Sequence, residues 1–197
     1  MIEFNLKKPC SPIKIFKKIY DKTYPIKNIE AFCLSTCGNN LRPSSRFVNI
    51  KFITDNSLIF FSNYQSRKSQ QIEENGNVSG VFFWNNVDIQ IRVEGVIYKL
   101  DERLSDKHFQ NRLHEKNILA ISSRQSQRIE SYEKVLEKYK ENLKIHHKTK
   151  TKRPSYWGGY EIIPNLFEFW YGHKNRLNKR EVFGLENDKW KKSILEP

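Results

Sequence analysis

From Glu30 to Leu100 the chain alternates short β-prone apolar runs with turn signals. It never takes up the strand–helix–strand rhythm of a parallel, doubly wound sheet. Glu30–Thr36 reads as a strand closed by Gly38-Asn39-Asn40. Arg46–Thr54 and Leu58–Ser62 flank Asp55-Asn56-Ser57, and Val78–Trp84 and Val87–Leu100 flank Asn85-Asn86, so each pair reads as a hairpin. Past Pro154-Ser155, further strands are predicted at Tyr156–Ile163, Leu166–Tyr171, Arg180–Leu185 and Lys189–Ile194. Helical spacing is confined to a few segments. Ile13, Phe16, Ile19 and Tyr20 follow Ser11-Pro12, Ser66 caps a segment running to Glu74, and Glu102–Arg112 is a third. Glu130–Leu143 is a fourth, with an apolar stripe of Ile129, Tyr132, Val135, Leu136, Tyr139 and Leu143. The pattern predicts a mainly β fold: an antiparallel barrel with peripheral helices.

The 197 residues suit a single domain, and an apolar fraction of 38% with 13% aromatics suffices for a core. No apolar run approaches the roughly 20 residues that span a bilayer. The first residues lack the apolar core of a signal peptide, so a cytoplasmic protein without a membrane partner is expected. Cys10, Cys33 and Cys37 are odd in number and have no paired spacing, which argues against a disulfide framework. Cys33 and Cys37 share one face of a strand and read as small buried hydrophobes; no metal site is expected. The net charge of +13 permits nucleic acid, an anionic membrane surface or phosphorylated small molecules. The densest basic run, Lys144–Arg153, reads as a flexible, solvated loop with His146 and His147 at the surface. It lacks interleaved aromatics, so nucleic acid is the weaker reading.

The chemistry-bearing residues are cations, amides and aromatics. In Phe167–Arg180 (FEFWYGHKNRLNKR), Phe167, Phe169 and Tyr171 alternate with Glu168 and Trp170, and a guanidinium-rich stretch follows. Arg grips phosphate with a planar fork of donors and Trp covers a ring face, although aromatic strands also build cores and basic runs are also simply solvated. In RFVNIK, Arg46 and Lys51 fall on opposite faces of an ideal strand. In SNYQSRK a hydroxyl-rich turn leads to Arg67 and Lys68 at a helix start, a setting that favours an anion. In the strand after Asn86, Ile89, Ile91 and Val93 face one way and Gln90, Arg92 and Glu94 the other. SSRQSQR (Ser122–Arg128) adds hydroxyls, amides and two guanidiniums, or else a polar cap. No nucleophile elbow, HExxH or Cys/His cluster is present, so hydrolytic and zinc chemistry have no support. Such an inventory suits a cofactor that performs the difficult chemistry itself.

The order RFVNIK, SNYQSRK, Gln90, SRQS, PSYWGGY and FEFWYG…RLNKR resembles the pyridoxine/pyridoxamine 5'-phosphate oxidase family, from about Pro12 to the terminal ENDKW…LEP. The resemblance implies an FMN-binding split β-barrel over residues 1–197, with 154–197 as the C-terminal dimerisation and substrate-side region. It implies a homodimer with FMN at the subunit interface. The FMN phosphate would be held by Arg46, Arg67 and Lys68, with Ser62 nearby; Lys51, Phe61, Gln90, Gln125, Ser126, Trp170 and Arg180 complete the cofactor site. Substrate would meet Lys51, His108, Arg112 and Lys116, with Arg176 and Asn178 at the catalytic positions. The implied reaction moves a hydride from C4' of pyridoxamine or pyridoxine 5'-phosphate to flavin N5. O2 is reduced to hydrogen peroxide and pyridoxal 5'-phosphate is formed. The family usually shows RLHDR where this chain has Arg176-Leu177-Asn178-Lys179-Arg180. His108 replaces a usual tyrosine, Lys116 a usual serine, and the N-terminal basic arm is short. These departures keep open a second reading, an FMN oxidase of the same fold acting on another substrate, as phenazine-biosynthesis relatives do; the charge of +13 motivates a third and weaker one, a non-catalytic flavin- or nucleic-acid-binding protein.

Overall fold

The computed structural model describes residues 1–24, 29–147 and 151–197. In chain order its elements are β1 (Glu3–Asn5), α1 (Ser11–Thr23), β2 (Ala31–Cys37), β3 (Pro43–Asn49), β4 (Phe52–Thr54), β5 (Leu58–Asn63), α2 (Arg67–Glu74), β6 (Asn77–Trp84), β7 (Ile89–Lys99), α3 (Glu102–Asn111), α4 (His114–Ser122), α5 (Tyr132–Ile145), β8 (Trp157–Tyr171), β9 (Lys179–Glu186) and β10 (Lys189–Leu195). The strands form one sheet in the order β1-β4-β5-β8-β7-β6-β2-β3, with β9 and β10 branching from β8. No ladder joins β3 back to β1 among the described residues, so the sheet curls into a half-barrel and stays split. Pairing is antiparallel except for β1 on β4, a short parallel pair that the sequence pattern did not predict.

Strand β8 makes the split possible. Its first half pairs with β5 and its second half with β9, while β7 runs along both. The sequence predicts two strands here, broken around Pro164. The structure keeps one strand of 15 residues. Proline cannot donate to a ladder, so it sits at a bulge: Glu94 pairs with Leu166, Gly95 with Pro164, and Asn165 is left over. A side chain at Gly95 would overlap the Ile163 carbonyl oxygen and lie 2.8 Å from the Pro164 Cα. Both are backbone atoms, so Gly95→Ala is expected to destabilise the fold by about 1–3 kcal/mol, as overpacking does. An unchanged urea midpoint would contradict this.

The core lies between the concave face of the sheet and α1. Ile13, Phe16 and Tyr20 are buried there. The Phe16 ring stands edge-on to Phe82 at 5.2 Å and to Trp84 at 5.6 Å. Along β2 the inward residues are Phe32, Leu34 and Thr36, which puts Cys33 and Cys37 on the outward face. These two cysteines are half-buried rather than core. The stripe on α5 also departs from expectation: the helix forms, yet none of its residues is buried, and Tyr132 is 69% exposed. Helix α4 was not predicted, its hydrophobic spacing being weak. In the basic run, Lys144 and Ile145 end α5, and residues 148–150 lie outside the described residues. Arg153 is not solvated: its side chain is 7% exposed, pairs with Asp106 at 2.7 Å and donates to the Trp157 carbonyl at 2.7 Å.

Candidate functional site

The β3–β4 segment, predicted as one strand, breaks at Ile50-Lys51. That break changes the geometry of RFVNIK. Arg46 and Lys51 would face opposite ways on an ideal strand, and here both line one cleft of about 1000 Å³. Among the described residues six cations line it, Arg46, Lys51, Arg67, Lys68, Arg112 and Lys116, and no Asp or Glu does.

At one end β5 delivers Ser62 and the start of α2 delivers Arg67 and Lys68. The first turn of α2 carries no acidic residue, and its N-cap Ser66 makes no side-chain capping bond. Lys68 is 6% exposed, and its Nζ donates to Ser62 Oγ and Ser66 Oγ, each at 2.9 Å. Burial, with Arg46 nearby, pulls its ammonium down to a pKa of about 8. Arg46 is pinned by short bonds from Nη1 to Thr36 Oγ1 and from Nη2 to Ser44 Oγ, both 2.6 Å. Those hydroxyls donate in turn to Gln71 Oε1 at 2.7 and 2.8 Å. Arg46 is thus oriented by neutral groups, and its charge stays uncompensated. Ser62 Oγ also donates to Gln125 Oε1 at 3.3 Å, which ties the segment after α4 to this end.

The other end holds Lys51, His108, Arg112 and Lys116 against aromatic planes. His108 stacks on Phe61 at 3.7 Å with planes 12° apart, and Trp157 lies parallel to Phe61 at 5.4 Å. Burial, then Arg112 and Lys51, hold the His108 pKa down to about 4, so the imidazole is neutral at physiological pH. The Arg112 guanidinium covers Trp157 at 4.4 Å, and its Nη1 is buried without an acceptor. Burial brings Arg112 down to about 10. Burial also lowers Lys51, with Lys116 and Arg112 adding to the effect; its acidic neighbour Glu30 is 4.0 Å away. Lys68 is buried and Arg46 and Arg112 are half-buried, none with a carboxylate partner among the described residues, a costly state unless an anion joins them. The cleft therefore suits a flat molecule, or two, bearing phosphate at both ends.

Eleven of the residues singled out in the sequence meet here: Arg46, Lys51, Phe61, Ser62, Arg67, Lys68, His108, Arg112, Lys116, Gln125 and Ser126. Five do not. Gln90, Trp170 and Arg180 form one cross-strand row over β7, β8 and β9, on the outward face of the sheet. Arg176 and Asn178 sit in the β8–β9 loop. Arg176 has a left-handed φ of 59° and an exposed side chain, and Asn178 Oδ1 accepts from the His173 amide at 3.0 Å, stapling the loop. Two contributors went unassigned in the sequence. Trp157 lies in the quoted PSYWGGY, whose aromatic could have been weighed as a ring platform. Gln71 had no signal beyond being polar on the inward side of a short helix.

The fold and this cleft define a class: a mainly β split barrel with a cationic, carboxylate-free cavity walled by aromatics. Residues 23–142 match the family described as pyridoxamine 5'-phosphate oxidase, and residues 157–197 match the pyridoxine 5'-phosphate oxidase C-terminal dimerisation region. A pyridoxine/pyridoxamine 5'-phosphate oxidase from Psychrobacter cryohalolentis is 38% identical over 186 residues, covering 91% of this chain and 85% of that protein. Among solved structures, PhzG from Burkholderia lata 383 in complex with tetrahydrophenazine-1-carboxylic acid superposes with a TM-score of 0.90 at 27% identity, over 96% of this chain and 94% of that one. A pyridoxamine 5'-phosphate oxidase-related, FMN-binding protein from Nostoc punctiforme shares the fold with a TM-score of 0.78 at 13% identity, over 97% and 100% of the two chains. The chain belongs to the pyridoxamine 5'-phosphate oxidase family.

Proposed function

We infer that the protein is an FMN-dependent oxidase that converts pyridoxamine or pyridoxine 5'-phosphate to pyridoxal 5'-phosphate. The observation that carries this reading is the pair of cation groups at the two ends of one carboxylate-free cleft, with the Phe61, His108 and Trp157 planes at the second. FMN would supply the redox chemistry as a hydride acceptor that O2 reoxidises with formation of hydrogen peroxide; for the amine substrate, water would supply the aldehyde oxygen and ammonia would leave. Arg46, Arg67 and Lys68, with Ser62 and the open first turn of α2, hold the cofactor phosphate. Gln125 and Ser126 border the same end. Lys51, Arg112 and Lys116 gather the substrate phosphate, and neutral His108 contributes a hydrogen bond without opposing a cationic amine. The residues' work is alignment and charge placement.

The five residues outside the cleft fit a homodimer. Residues 154–197 form its dimerisation and substrate-side region, the whole of 1–197 acting as one domain. Gln90, Trp170 and Arg180 of the partner subunit then complete the FMN site, and Arg176 and Asn178 of the partner subunit cover the substrate. The similarity to PhzG favours a second reading, the same cofactor with a substrate of another class. The Asn178 side chain agrees with it, since its oxygen is engaged within its own loop. Anaerobic mixing of FMN-loaded protein with pyridoxamine 5'-phosphate, and separately with pyridoxine 5'-phosphate, decides between them. Rapid bleaching of the visible flavin band, with colour returning in air, is expected. A band that stays yellow with both compounds would end the vitamin B6 reading and leave the second.

A further inference from the structure

Glu168 is 3% exposed although it lies on the outward face of β8, between the core residues Phe167 and Phe169. Its two oxygens are taken by two different arginines. Oε1 accepts from Arg180 Nε at 2.7 Å, and Oε2 accepts from Arg92 Nη1 at 2.7 Å. Arg92 is its in-register neighbour on β7, and Arg180 is the diagonal neighbour on β9, opposite Trp170. Residues two apart on a strand share a face, so Glu168 sits one step below the Gln90–Trp170–Arg180 row. A second contact fixes Arg180: Nη1 donates to the Glu196 carbonyl at 3.1 Å. With Nε and Nη1 engaged the guanidinium plane is set, Nη2 has no partner among the described residues, and Trp170 is the cross-strand neighbour. A carboxylate this deep is costly unless fully paired, and here both its oxygens are.

We propose that Glu168 is a positioning residue: it locks the Arg180 guanidinium in the orientation that presents its free edge, next to Trp170, to FMN. The proposal rests on the FMN reading above and adds to it a residue that never touches the cofactor. The Phe167 and Phe169 side chains anchor the β8 backbone in the core, so the carboxylate is a rigid post. Arg180, near the start of β9, would otherwise sample more rotamers and lose entropy on binding.

The test is a double-mutant cycle on FMN affinity, titrating the full-length apoprotein with FMN and following flavin fluorescence. Glu168→Gln keeps the shape and removes the charge that orients Nε. It is expected to raise the FMN Kd about tenfold, the scale of one charge-assisted contact. Arg180→Ala is expected to raise it at least as much, and Glu168→Gln in the Arg180→Ala background to add nothing further. Additive effects, or an unchanged Kd in Glu168→Gln while Arg180→Ala weakens binding, would overturn the positioning role and leave the FMN reading standing. An unchanged Kd in Arg180→Ala would remove Arg180 from the FMN site and the proposal with it; Lys68 variants then report separately on whether FMN binds in the cleft. If Glu168→Gln does not fold, Glu168→Asp takes its place, since it keeps the charge and draws the carboxylate back from Nε. It is expected to weaken FMN binding at an unchanged melting temperature, and undiminished affinity would count against the proposal.

Discussion

Lys68→Met is expected to weaken FMN binding by about 2–4 kcal/mol, roughly 30- to 1000-fold in Kd, without lowering the stability of the apoprotein. The two signs belong together. Lys68 is 6% exposed, and among the described residues its hydrogen-bond partners are Ser62 and Ser66 and no carboxylate lines its cavity. An ammonium held that way is a burden to the apoprotein, which is why its pKa falls from 10.5 to about 8. Between those values the unfolded chain binds more proton than the folded one at this site, so its contribution to stability rises with pH from about 8 towards 10.5 and its penalty is fully present below about 8. A phosphate dianion reverses the balance by favouring the charged form. FMN affinity should therefore be greatest below pH 8 and decline above it, and the Lys68→Met protein should lose that pH dependence. Titration of FMN into the apoprotein from pH 6.5 to pH 9.5, with thermal melts of both proteins, checks each part. Wild-type affinity for FMN in Lys68→Met would remove Lys68 from the phosphate site.

Much of this fold was legible because its signals are local. Period-two alternation marked β7, β-prone runs marked β2 and β6, and turn residues marked the hairpins at Asp55-Asn56-Ser57 and Asn85-Asn86. What failed depended on tertiary context. Pro164 reads as a strand breaker until Gly95 on the facing strand makes room for a bulge. The stripe on α5 reads as core, yet the helix packs against α4 at the surface and none of its residues is buried. The site divides in the same way. Arg67 and Lys68 were readable from a hydroxyl-rich turn before a helix. The convergence of Arg46 and Lys51 was not, because it arises from the break at Ile50-Lys51. Gln90, Trp170 and Arg180 were tied to one cofactor only through family resemblance, and they share one row because their strands pair in register. Arg153, drawn from a basic run that looked solvated, fastens α3 to β8 because Asp106 lies 2.7 Å away, a neighbour 47 residues off in sequence.

Arg112→Ala is expected to cut kcat/KM for pyridoxamine 5'-phosphate by on the order of 100- to 1000-fold, the loss typical of removing one partner from a desolvated charge pair. Arg112 is grouped with Lys51 and Lys116, whereas Lys68 feels Arg46, so FMN affinity should hold. Its guanidinium carbon lies over the Trp157 ring, 4.4 Å from its centre, and its Nη1 is buried with no acceptor among the described residues. A buried donor without a partner is a cost that an incoming phosphate oxygen removes, and the Trp157 face fixes the plane from which the donors project. Arg112→Lys should accordingly recover little activity, since an ammonium neither stacks on the indole nor offers the same fork. Pyridoxamine without its phosphate is the control that isolates the contact. It has no group for Arg112 to hold, so the variant should lose little further activity towards it. An equal loss for both compounds would place Arg112 in the scaffold of α3 and Trp157. Normal turnover of the phosphorylated substrate by Arg112→Lys would show that a point charge suffices and that the stacked geometry has no part in recognition.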